Sequence, residues 1–135
     1  MQNFRVIVLS AAATALLAVT GAQAQSSKSG EQVYKEVCMV CHAAGVANAP
    51  KFGDKKAWTP LIAEGQHVLT AHAWVGVRAM PPKGGNPNLS LQEFSNAVAY
   101  MARAAGGTWK DPDAAMLKKI QVEEQARIKS LNTKK

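Results

Sequence analysis

The string Cys38-Met39-Val40-Cys41-His42 constrains this chain more than any other feature, and it contains both of its cysteines. Thiols at i and i+3 followed at once by an imidazole match covalent attachment of a c-type haem. Each thiol can add to a vinyl group of the macrocycle, and the two thioethers then hold it so that His42 reaches the iron. The ligating imidazole must be neutral on its metal side, so its second nitrogen needs an acceptor.

Two other chemistries compete for the same residues. A Cys38–Cys41 redox disulfide is one, although such motifs sit beside βαβ patterns and no alternating strand pattern occurs here. The second is a zinc site using Cys38, Cys41, His67 and His72, in which His67 and His72 have ligand spacing but the gap from Cys41 to His67 exceeds the roughly 12–15 residues of finger motifs.

Residues 1–24 read as a cleaved export signal: Arg5, an apolar run from Val6 to Val19, then Ala22-Gln23-Ala24. That run falls short of the roughly 20 residues that cross a bilayer. With 16 Lys and Arg against 9 Asp and Glu, the chain carries a formal charge of +7. The excess suits acidic proteins or anionic surfaces as partners, and no nucleic-acid partner is expected. A chain of 135 residues has room for about one domain. So small a core often needs a staple such as a cofactor.

The remaining sequence is a series of helix signals, and the expected class is all-α. Ser29-Gly30-Glu31-Gln32 is a capping box followed by Val33, Tyr34 and Val37, which predicts a short helix running into Cys38. Residues 43–53 read as loop. Asp54 caps a helix that Pro60 either breaks or restarts at Thr59, with Gly65 as its end. Gln66 to Val75 forms the next helix. Residues 78–88 hold Pro81, Pro82, Gly84, Gly85 and Pro87 and read as loop. Ser90-Leu91-Gln92-Glu93 is a second capping box, opening a helix with Phe94, Ala97, Val98, Met101 and Ala105 on one face and Gly106-Gly107 as its stop. Asp111-Pro112 opens a last helix, in which Leu117, Ile120, Ile128 and Leu131 form a narrow stripe interrupted by Glu124.

An iron held by His42 has a sixth position, for which the candidates are the methionines, His67 and His72. Met1 leaves with the signal, Met39 lies inside the attachment motif, Met101 sits on the core stripe and Met116 in the tail. Met80 remains, ahead of Pro81 and Pro82, whose rings restrict the loop backbone. Its other reading is a methionine filling a core gap.

The set Cys38 to His42, Ala49-Pro50-Lys51-Phe52-Gly53-Asp54, Trp58, Met80-Pro81-Pro82-Lys83-Gly84 and Tyr100-Met101 resembles the bacterial class I cytochromes c of the c-five subgroup. The resemblance runs from residue 29 to about 106. It implies a monohaem fold of short helices around one haem c, held covalently through two thioethers from Cys38 and Cys41. It also implies that the helix from Gly30 to Tyr34 crosses the Ser90 helix near Tyr100, with Gly30 permitting close approach. It implies further that the Pro50 carbonyl accepts a hydrogen bond from His42 and that Met80 is the distal ligand. The second cysteine pair that many members carry near the loop after that methionine is absent, since residues 85–89 hold none.

The reading that results is a signal at 1–24, a cytochrome domain at 25–107 and a basic helical extension at 108–135. The function it implies is a periplasmic single-electron carrier with no catalytic residues. Its partners would be acidic redox proteins, such as a dehydrogenase, reductase or oxidase, met by Lys51, Lys55, Lys56 and Lys83. Two alternatives are a small peroxidase-like haem enzyme with an open distal site and an electron-transfer subunit of a larger complex. The extension is either a solvated helix lying on the body or an arm that docks a protein or a peripheral anionic membrane surface.

Overall fold

The computed structural model describes residues 26–134, so the expected export signal lies outside the described residues. The first helix, α1, covers residues 30–42 in three consecutive pieces: α-helical Gly30–Val33, π-helical Tyr34–Cys38 and α-helical Met39–His42. Its start is the expected capping box, with Ser29 Oγ accepting from the Gln32 N–H and the Gln32 side chain accepting from the Ser29 N–H. The helix continues past Cys38 through His42, further than the sequence suggested. The π turn carries i→i+5 bonds and turns less per residue than the α-helix on either side, and Tyr34, Cys38 and His42 are all buried.

A 3₁₀ turn at Val46–Asn48 interrupts the following loop. Helix α2 (Lys55–Ala63) is unbroken, with Asp54 as its N-cap and Pro60 inside it. The donor that Pro60 lacks would have met the Lys56 carbonyl on an exposed first turn, where water can satisfy it. Helix α3 is Gln66–Val75, bounded by Gly65 and Gly76. A short 3₁₀ turn, Pro82–Gly85, lies in the proline-rich loop. Helix α4 is Leu91–Ala104, opened by its own capping box.

Helix α5 is Ala114–Asn132, and its N-cap is Asp113, whose side chain accepts from the Met116 N–H at 2.8 Å. The expected start at Asp111-Pro112 is therefore two residues early. The Asp111 carboxylate is instead paired with Arg103 at 3.0 Å, and the Pro112 carbonyl accepts from Gln92 Nε2. Tertiary contacts with α4 take both residues out of the cap.

Two crossings organise the body. At the first, α1 meets α4 so closely that a Cβ on Gly30 would lie 2.2 Å from the Asn96 carbonyl oxygen and 2.8 Å from Tyr100 Cβ. Tyr34, Phe52 and Tyr100 extend this contact, with Tyr34 stacked on Phe52 at 4.4 Å between ring centroids. At the second, α5 lies along α3, with Ile120 fully buried. Glu124, the residue that interrupts the apolar stripe, accepts a hydrogen bond from Trp74 Nε1 at 3.0 Å, and Glu123 meets His72 Nε2 at 3.2 Å. The extension is a helix that packs on the body through these contacts. Among the described residues the only β pairing is one isolated bridge, Val77 with Met80, and no helix is long and apolar enough to cross a membrane.

Candidate haem site

The C-terminal end of α1 carries Cys38, Cys41 and His42 to one wall of a cavity of about 830 Å³. That volume lies within the range of about 300–1,000 Å³ usual for cofactor sites. Val37, Leu61, Leu69, Ala73, Val98 and Met101 supply apolar walls from four helices, and Pro50 and Met80 come from the two loops. All five residues that the sequence singled out thus border one space.

His42 is buried, and its Nδ1 lies 2.8 Å from the Pro50 carbonyl oxygen. A carbonyl can only accept, so Nδ1 carries the proton and Nε2 keeps its lone pair. The loop that brings Pro50 there is anchored twice. The Phe52 N–H donates to the His42 carbonyl at 2.8 Å, and Trp58 Nε1 donates to the Lys51 carbonyl at 2.9 Å.

On the far side, Met80 closes a tight turn in which its N–H donates to the Val77 carbonyl at 2.9 Å and its carbonyl accepts from the Val77 N–H at 3.1 Å. Gly76, at φ 102°, lets the chain enter this turn, since a Cβ there would sit 3.1 Å from Pro82 Cδ. Three non-glycine residues on the cavity rim hold left-handed backbone: Ala47, Asn48 and Arg78, at φ 50°, 63° and 53°. Such conformations cost roughly 1–2 kcal/mol each and cluster where surrounding structure imposes them at working sites.

Both thiols are free. Burial pushes the Cys38 thiol up to about 11, with a smaller contribution from the neighbouring Cys41. A neutral thiol therefore faces the apolar cavity. No group of three or more His, Cys, Asp or Glu side chains is placed to hold a metal ion among the described residues, so the zinc reading fails. His72 borders the cavity but is turned to Glu123 on α5. The donor set that remains, two thiols, one imidazole with a defined free nitrogen and one thioether around an apolar space, fits an iron porphyrin.

Two residues of the site gave no signal in the sequence. Glu64 and Arg127 both border the cavity, the latter from α5, and each reaches it only through the packing of distant segments. Lys83, expected on an open docking face, places its ammonium 4.5 Å from the centroid of the Trp74 ring.

Comparison with known proteins finds this chain similar to c-type cytochromes. Residues 25–101 match the family model described as cytochrome c oxidase, cbb3-type, subunit III. Cytochrome c-555 of Chlorobaculum thiosulfatiphilum is 46% identical over 76 residues, which is 53% of this chain and 88% of that protein. Cytochrome c5 of Azotobacter vinelandii is 40% identical over 78 residues, 56% of this chain and 94% of that protein. A chain in a crystal structure of an electron transfer complex of nitrite reductase with cytochrome c superposes with a TM-score of 0.54 at 51% identity. It covers 56% of this chain and 93% of that one.

Proposed function

This chain belongs to the class I c-type cytochromes of the c5 family, a monohaem electron carrier with one covalent haem c, and from that premise we propose the roles of its residues. Cys38 and Cys41 are the attachment thiols, His42 is the proximal ligand and Met80 the distal one. The observation that carries this reading is the convergence of all four side chains on one cavity, with the proton of His42 fixed on Nδ1 by Pro50.

Bound haem supplies reversible one-electron chemistry at iron. The protein's part is to hold and insulate. The His42–Pro50 bond sets ring orientation and tautomer. The Val77–Met80 turn and the two prolines after it place the thioether at little further cost in ordering. Met80 as a thioether ligand together with His42 would favour the ferrous state relative to two imidazoles. With His42 and Met80 both holding the group, no substrate would need to reach the metal.

Redox proteins are the partners. Met39 and Val40 within the attachment motif and Val46 just after it are exposed apolar side chains, and Lys51, Lys55 and Lys56 on the following segment are exposed as well. That arrangement suits a small transient interface with an acidic face. The 1–24 segment suits export to the periplasm before haem attachment.

The deciding experiment is an optical spectrum and intact mass of protein matured with haem. Low-spin bands, a weak sulfur-to-iron charge-transfer band in the ferric form and the added mass of one haem support the assignment. A ferrous form that binds carbon monoxide readily would remove Met80 from the iron.

A further inference from the structure

Helix α5 lies beyond the matched residues 25–101, yet it brings one side chain to the cavity. Arg127 borders that space together with Cys41, His42 and Met80, and its Nε is buried with no hydrogen-bond partner. A guanidinium cannot shed its charge, and a buried donor left unpaired is costly.

The partners that helical spacing would offer are already engaged. Glu123 and Glu124 lie four and three residues earlier, within reach of Arg127 on an isolated helix. Glu123 is turned to His72 and Glu124 to Trp74. Glu64 also borders the cavity, but Arg127 forms no ion pair with it or with any other described residue. The two contacts to α3 hold the helix one turn before Arg127, so the position of this side chain follows from packing that does not involve it.

An unpaired cationic fork at a cavity that holds a haem calls for a carboxylate, and the haem periphery carries two. We propose that Arg127 donates to a haem propionate, so that the C-terminal helix clamps the anionic edge of the cofactor. Planar guanidinium and carboxylate groups pair through parallel N–H···O bonds. This positioning role rests on haem occupying the cavity, which the intact mass and the low-spin spectrum test separately. Removing the guanidinium leaves a carboxylate uncompensated, and that negative charge favours ferric over ferrous iron.

The test compares holoprotein with Arg127→Gln, with Arg127→Lys and with Lys129→Gln, a charge removed from the exposed side of the same helix. At a fixed applied potential, Arg127→Gln should lower the ferrous-to-ferric ratio about tenfold, a fall of about 59 mV for one electron. Arg127→Lys should recover most of it and Lys129→Gln should barely shift it. An Arg127→Gln shift no larger than that of Lys129→Gln overturns the proposal. Should Arg127→Gln fail to mature, the unmodified holoprotein decides through the Arg127 Nε–H resonance. Slow solvent exchange and a displacement between oxidation states support the clamp. Fast exchange at the same position in both states overturns it.

Discussion

His42 Nδ1 and the Pro50 carbonyl oxygen stand 2.8 Å apart, and this one contact decides which ring nitrogen can bind a metal. It joins the end of α1 to the loop that follows. The Phe52 N–H bond to the His42 carbonyl, also 2.8 Å, closes the same loop from the backbone side.

Because Pro50 contributes a backbone carbonyl, Pro50→Ala should leave the low-spin spectrum in place and cost under about 1 kcal/mol, the scale of lost proline rigidity. A high-spin spectrum with unchanged secondary structure would show that the ring itself is needed. Urea unfolding together with absorption measures both.

Met80→Ala should abolish the sulfur-to-iron charge-transfer band and open the ferrous form to carbon monoxide. The midpoint potential should fall by on the order of a hundred millivolts, part of the roughly 0.8 V that axial ligation spans. Spectroelectrochemistry reads all but the ligand binding, which needs a gas titration.

Gly30→Ala should be costly because its Cβ would meet backbone, the Asn96 carbonyl oxygen at 2.2 Å and its carbon at 2.7 Å. Overpacking of this kind costs about 1–3 kcal/mol, or roughly 4–8 °C in Tm per kcal/mol for a domain of this size. Thermal unfolding of holoprotein tests it, and an unchanged Tm would contradict the close crossing of α1 and α4.

Trp74→Phe keeps an aromatic ring facing Phe94, 5.3 Å between centroids in the natural chain, and removes the N–H that meets Glu124 together with part of the ring surface beneath Lys83. The expected loss is about 1.5–3 kcal/mol, the scale for hydrogen bonds to charged groups. Faster amide exchange should follow in α5 near Glu124, with α1 unaffected. Equal loosening across the molecule would argue against a specific tether.

Glu93 is held below the usual carboxylate range, first by the Ser90 N–H, then by the Lys28 N–H and the Ser90 hydroxyl. A carboxylate depressed by folding stabilises the protein above its unfolded value, and this contribution is lost as pH falls through the folded one. The gap in urea midpoint between the natural chain and Glu93→Gln should be largest near neutrality and close on acidification. Ser90→Ala should cost about 1 kcal/mol through the lost cap.

The all-α class, both capping boxes and the Cys38 to His42 string were legible because each signal lies within a few neighbouring positions, whereas the Gly30 crossing and the Pro50 contact, which join separate segments, came from the family resemblance. Ser29 with Gln32, Ser90 with Glu93, and the Cys38 to His42 string all act at short range, where backbone geometry leaves few choices. Asp111 misled because it is as good a cap as Asp113 until Arg103 claims its carboxylate. Pro60 was ambiguous because its cost depends on whether the Lys56 carbonyl can reach water.

The sequence by itself determined which side chains can carry the chemistry, since spacing along a helix or a loop sets which donors can act together. Tertiary structure alone decided what Glu124 and Arg127 do. A charged residue in an amphipathic stripe reads as a fault until a tryptophan N–H from α3 meets it. A lone arginine in a basic tail reads as surface until its helix is laid against the cavity. Trp74 and Glu124 stand 50 positions apart, and only packing of the whole chain brings such residues within hydrogen-bonding reach.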